Sequence, residues 1–190
     1  NHILKDMVSI YDMKKDTKEI AELLFRYVIL FIVAFPNLYL FYLAFRPLTI
    51  YPSYFLLALF YNTSLLGDLI IAEGVKILIV DACIAGSAYY LLLMLNLATP
   101  KINFKKRISF LLFSFAIFLF INILRIFFLS SLAINNSSFF DITHIIFWYA
   151  LSILFVIIIW FCGVKLFNIK SVPFYSDLRL LYNYSILNKL

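Results

Sequence analysis

Between residues 108 and 132 only serines, Asn122 and Arg125 interrupt an otherwise apolar string. A bilayer-spanning helix needs about 20 consecutive apolar residues, and this run exceeds that. In lipid, each backbone N–H and C=O must find a partner within the segment, so the run predicts an α-helix. Residues 23–45 and 142–164 form two comparable runs, the first with Pro36 as an expected kink. A shorter run, 83–98, ends at Thr99-Pro100 and can span if it starts at the interface or the bilayer thins locally. Composition agrees: 65% of the residues are hydrophobic, against about 45–50% in a soluble domain.

The net charge is +6, and its placement argues for a membrane rather than nucleic acid. The basic residues gather in three patches: Lys5, Lys14, Lys15, Lys18 and Arg26; Lys101, Lys105, Lys106 and Arg107; and Lys165, Lys170, Arg179 and Lys189. Each abuts an apolar run, which is the positive-inside pattern, so all three are assigned to the cytoplasm. Residues 1–22 read as a cytoplasmic amphipathic segment, charged where a cleaved signal peptide would be apolar. Residues 23–165 read as one transmembrane domain and 166–190 as a cytoplasmic tail.

With every basic patch on one side, the number of spans is even, and four spans satisfy this. Residues 51–66 then form an outer helix, interfacial or re-entrant, with Pro52 near its start. Leu69–Ile71 and Val75–Val80 flank Ala72-Glu73-Gly74, are rich in β-branched residues, and predict a small outer β-hairpin. The expected fold is all-α and integral to the membrane, at a multi-pass position in the cell membrane, with this hairpin preceding Cys83. A five-span arrangement with the N-terminus outside is the alternative.

Three polar residues fall at one depth on the outer side. Cys83 opens the second span there. Arg125 lies 17 residues into the third, roughly 26 Å from its cytoplasmic start. His144 sits in the first turn of the fourth. A cysteine in a membrane helix is usually an inert small hydrophobe, and Cys162, without polar company, is read that way. An interfacial histidine is more often structural, and Arg125 could snorkel to the headgroups. Yet a guanidinium in an apolar run costs about 2.5–3.5 kcal/mol on insertion scales, which calls for a partner. Asn122 stands one turn before Arg125 and could orient it. Gly86, Ser87 and Tyr90 fall at helical spacing on the face of Cys83.

Together the three make a thiol site. A thiol becomes nucleophilic when a nearby cation stabilises its thiolate. His144 could move the proton to a leaving amine, and Arg125 could hold an oxyanion. No carboxylate lies between the spans for an aspartyl protease. His2 and His144 are the only histidines, too few for a His-Glu-x-x-His zinc site. No metal or other cofactor is expected, and Cys83 and Cys162, near opposite ends of different runs, are not expected to pair.

The segment Val80-Asp81-Ala82-Cys83-Ile84-Ala85-Gly86-Ser87 resembles the cysteine motif of the exosortase and archaeosortase family. Asn122-Ile123-Leu124-Arg125 resembles its Asn-x-x-Arg motif, and His144 beside Phe147 and Trp148 its histidine motif. The resemblance covers about residues 50–165. Gly86 stands three positions after Cys83, where the common bacterial form reads Cys-Ser-Gly, and the spans are fewer. The chain therefore resembles a minimal, archaeosortase-like form. The resemblance implies a cysteine transpeptidase that cleaves C-terminal sorting tails from exported proteins and passes them to a lipid or other surface acceptor. Cys83 would be the nucleophile, His144 the acid/base and Arg125 the electrostatic stabiliser, with Asn122, Gly86 and Ser87 in support. The alternatives are a peptidase that hydrolyses without transfer, or a non-enzymatic membrane scaffold or transporter subunit.

Overall fold

The computed structural model describes residues 18–169, except 19, 36, 101 and 148–151, together with Pro173. The expectations for Pro36 and Trp148, and most of those for the N-terminal segment and the tail, lie outside the described residues. The chain is mainly helical. Helices α1 (Ile20–Ala34) and α2 (Tyr39–Ala58) meet at a bend of 65°. A three-stranded antiparallel sheet follows, of β1 (Thr63–Leu66), β2 (Leu69–Ala72) and β3 (Val75–Leu78) in that order. Then come a single turn, α3 (Asp81–Ile84), and helices α4 (Gly86–Leu97), α5 (Phe104–Ile134), α6 (Phe140–Ile146) and α7 (Ser152–Leu166).

α5 is the axis of the molecule, and α2, α4 and α7 all pack on it. Its 31 residues extend about 46 Å, against the ~30 Å thickness of a hydrocarbon core. One apolar core joins Leu30 of α1, Phe41 of α2, Tyr89 and Leu92 of α4, Phe118 of α5 and Val156 of α7. At its centre Tyr89 stacks on Phe45 with ring centroids 3.7 Å apart and meets Phe118 edge-on at 4.9 Å. A second core joins Ile50 and Leu57 of α2, Ile70 of β2, Ile79, Ile84 of α3 and Ile126 of α5. It seats the sheet and α3 against α2 and α5.

Outside these cores the helices present apolar side chains outward. Phe31 is 74% exposed and Phe120 60%, and Phe25, Phe35 and Phe161 are exposed as well. α5 is one helix long and apolar enough to cross a membrane, and the bent pair α1–α2 makes a second if counted as one span. Only 33% of the apolar window of α5 is buried, so it is not the enclosed core helix of a soluble domain.

Described members of all three basic patches meet at one end of the bundle. Arg26 donates to the Leu97 carbonyl (2.9 Å), and Arg107 donates to the carbonyls of Asn96 and Thr99, the latter at 2.8 Å. These add side-chain donors to the carbonyls around the C-terminal end of α4. Lys106 reaches the Asn168 carbonyl at 3.4 Å, beyond α7. The sheet and Cys83 adjoin the opposite end of α4.

Several expectations need correction. The 23–45 run is not one helix: Asn37 and Leu38 take left-handed φ of 48° and 59°, and the chain turns there. There is no separate 51–66 helix. Residues 51–58 complete α2, which runs through Pro47 and Pro52, and 63–66 form β1. Burial of Phe41 in the first core and of Ile50 and Leu57 in the second offsets the cost of two internal prolines. The predicted hairpin is present as β2–β3, but β1 widens it to three strands. Of the last run, residues 142–146 lie in α6 and 152–164 in α7, and residues 148–151 are outside the described ones.

Candidate active site

Cys83 sits in the one-turn helix α3, which stops where Ala85 adopts a left-handed conformation (φ 59°) before α4 begins. A carbonyl at the end of so short a helix has no N–H above it. Two side chains of α5 supply the missing donors. Asn122 Nδ2 donates to the Cys83 carbonyl at 2.9 Å, and Arg125 Nη2 to the same oxygen at 3.3 Å. Their one-turn spacing puts both on one face of α5, as the sequence suggested.

α3 is also held from the other side. Arg46 of α2 pairs with Asp68, in the β1–β2 turn, and with Asp81, the first residue of α3. One guanidinium thus ties the sheet and the cysteine-bearing turn to α2.

Beside Cys83 lies a cavity of about 240 Å³ lined by Cys83, Arg125, Ser130 and His144, with β3 along one wall, Phe140 on α6 and Phe147 just after it. The three residues singled out from sequence therefore share one cavity. The His144 ring stacks on Phe140 with centroids 5.7 Å apart and planes 5° from parallel. Phe147 meets Phe128 of α5 at 6.1 Å, which docks the end of α6 on α5 and carries His144 to the cavity. Among the described residues, the ionisable side chains around the cavity, besides the thiol, are Lys76, Arg125 and His144, with no carboxylate. Such an environment suits the oxyanion that forms when a carbonyl is attacked there.

Gly86 and Ser87 do not line the cavity. The break at Ala85 ends the helical register with Cys83, so the shared face read from sequence does not exist. Gly86 is buried against Tyr42, where an added Cβ would lie 2.8 Å from Cε1, and Ser87 is exposed. Two polar lining residues were missed in the sequence. Ser130 lies two helical turns beyond Asn122 on the same face, a signal that could have been read. Lys76 is an ordinary strand residue, and nothing local marked it.

Both cysteines are free, and Cys162 lies on α7, away from the cavity lining. Among the described residues no group of three or more His, Cys, Asp or Glu is placed to hold a metal. No family model, curated protein or solved structure matches the chain.

Proposed function

We propose that the chain is a multi-pass membrane cysteine transpeptidase of the exosortase and archaeosortase type, acting at the outer face on C-terminal sorting tails of exported proteins. One observation carries the reading: Cys83, Arg125 and His144 line a single cavity that has cationic and apolar walls and, among the described residues, no carboxylate. The membrane setting is supported by the outward apolar surface and the length of α5. The topology is supported by the meeting of three basic patches at the end of α4 opposite Cys83. Lysines and an arginine in the first turns of α5 oppose the helix dipole, so local helix energetics do not explain them, whereas the positive-inside rule does. Four passes then consist of the α1–α2 pair, α3–α4, α5 and α6–α7.

In the proposed mechanism His144 takes the Cys83 thiol proton, and the thiolate attacks the scissile carbonyl. Arg125 stabilises the oxyanion. Collapse breaks the C–N bond, with the proton returned from His144 to the leaving amine of the tail. The thioester on Cys83 is then attacked by an acceptor hydroxyl or amine, whose proton passes to His144 and back to the departing thiolate. Asn122 is a positioning residue, fixing the backbone of the nucleophile.

A second reading has its own support. Asn122 and Arg125 both bond to a backbone carbonyl, the kind of clamp a non-catalytic membrane scaffold would also use. Replacing the thiol separates the two. Cys83→Ala leaves expression and insertion unchanged but abolishes removal of the tail from a co-expressed exported protein. Normal processing in that variant overturns the cysteine mechanism. The mass of the wild-type product distinguishes transfer to a lipid or other acceptor from hydrolysis by water.

A further inference from the structure

Five consecutive residues, Val75 to Ile79, line the cavity beside Cys83. Side chains of a strand alternate between its two faces, so a cavity that touches every residue in turn runs along the strand's edge. β3 is the last strand of the sheet, paired with β2 on one side only. The β2–β3 turn is a two-residue one, Glu73-Gly74, with φ of 49° and 83°. Such a turn makes its flanking residues, Ala72 and Val75, a hydrogen-bonded pair. The pairs then alternate. Ile77 bonds to Ile70, and Ile79 N–H donates to the Asp68 carbonyl at 2.9 Å, in keeping with that phase. The N–H and C=O groups of Lys76 and Leu78 therefore point away from β2, to the open edge, where no backbone bond among the described residues meets them.

An open edge with paired donors and acceptors binds another strand through its main chain. We propose that the substrate polypeptide docks as a fourth strand on β3, bonding to the backbone of Lys76 and Leu78, and so delivers its scissile carbonyl to Cys83. This rests on the transpeptidase reading above. It defines the ligand as an extended peptide segment recognised through its backbone on the cleavage-site side, so that side chains there add little to the docking.

The test compares alkylating probes on the full chain in lipid nanodiscs, with Cys83 labelling followed by peptide mass spectrometry. Acetyl-alanine and acetyl-tetraalanine chloromethyl ketones share one reaction: the thiolate displaces chloride and forms a thioether. Iodoacetamide reports thiol reactivity without a peptide. The tetraalanine probe should label Cys83 about tenfold faster than the single-alanine probe, the gain of one to two net hydrogen bonds. N-methylation should remove that gain at alternate amides of the probe and spare those between. Leu78→Pro deletes an N–H on the open edge without touching the β2 pairing, and should remove the gain while leaving the iodoacetamide rate unchanged. If that variant misfolds, the N-methylated probes on the unaltered protein still decide. Equal rates for the two peptide probes, or equal effects of methylation at adjacent amides, overturn strand docking alone. A Cys83 no more reactive to iodoacetamide than Cys162 overturns the transpeptidase reading and the docking with it.

Discussion

Asn122 Nδ2 donates to the backbone carbonyl of Cys83 at 2.9 Å, bridging 39 residues of sequence and two helices. Asn122 is almost fully buried, and the oxygen it serves ends a helical turn that leaves it no internal donor. Asn122→Ala should therefore cost about 1–2 kcal/mol, measured as loss of thermal stability in detergent. Because the contact is to the backbone of Cys83, the proposed mechanism has kcat fall with KM little changed. A loss confined to KM would show that Asn122 contacts substrate instead.

Arg46 holds two carboxylates, Asp68 and Asp81, but its side chain is 37% exposed. Solvent screening keeps such pairs small, so Arg46→Gln should cost no more than about 1 kcal/mol of stability. The larger effect should be on the placement of α3, read as a fall in the alkylation rate of Cys83. Arg46→Lys should recover little, since an ammonium cannot span both partners as the guanidinium fork does. Full recovery by lysine would reduce the role of Arg46 to charge alone.

Ala85 carries a left-handed φ of 59° between α3 and α4. A non-glycine residue there is strained by roughly 1–2 kcal/mol. Ala85→Gly should raise the melting temperature if the break between the helices is as described. A lower melting temperature would mean that Ala85 is helical and that Cys83, Gly86 and Ser87 share one continuous face.

The topology is open to direct labelling. In a chain lacking both native cysteines, a cysteine at Lys76 should react with a membrane-impermeant maleimide in intact cells. A cysteine at Lys105 should react only after the membrane is opened. Equal labelling of both in intact cells would contradict the orientation, and with it the outer position of the cavity.

Much of this arrangement is legible from sequence where the signal is local. The apolar run around Asn122 and Arg125 is α5, and their one-turn spacing gave the pair that meets Cys83. Glu73-Gly74 between β-branched segments gave the β2–β3 turn. What was not legible depends on distant partners. α2 continues through Arg46 and Pro47 because Arg46 finds Asp68 and Asp81, carboxylates beyond the next element. β1 is four residues following an apolar helix, and only its pairing with β2 makes it a strand, although Gly67-Asp68 was a readable turn. The break after Cys83 falls at an alanine, a residue with no preference for a left-handed turn. Periodicity therefore carried the face of Cys83 one turn too far, to Gly86 and Ser87.

The central claim is that the Cys83 thiol forms an acyl-enzyme in the cavity it shares with Arg125 and His144. It is tested most directly by acid-quenching the full chain during turnover of a tail-bearing exported protein and determining the mass of the Cys83-containing peptide. A hydroxylamine-labile adduct of the substrate's cleaved N-terminal part should appear on Cys83. It should form about 10²–10³-fold more slowly in Arg125→Gln, the usual loss for one oxyanion donor. Tail removal with no adduct on Cys83, or with the adduct on another residue, would contradict the account.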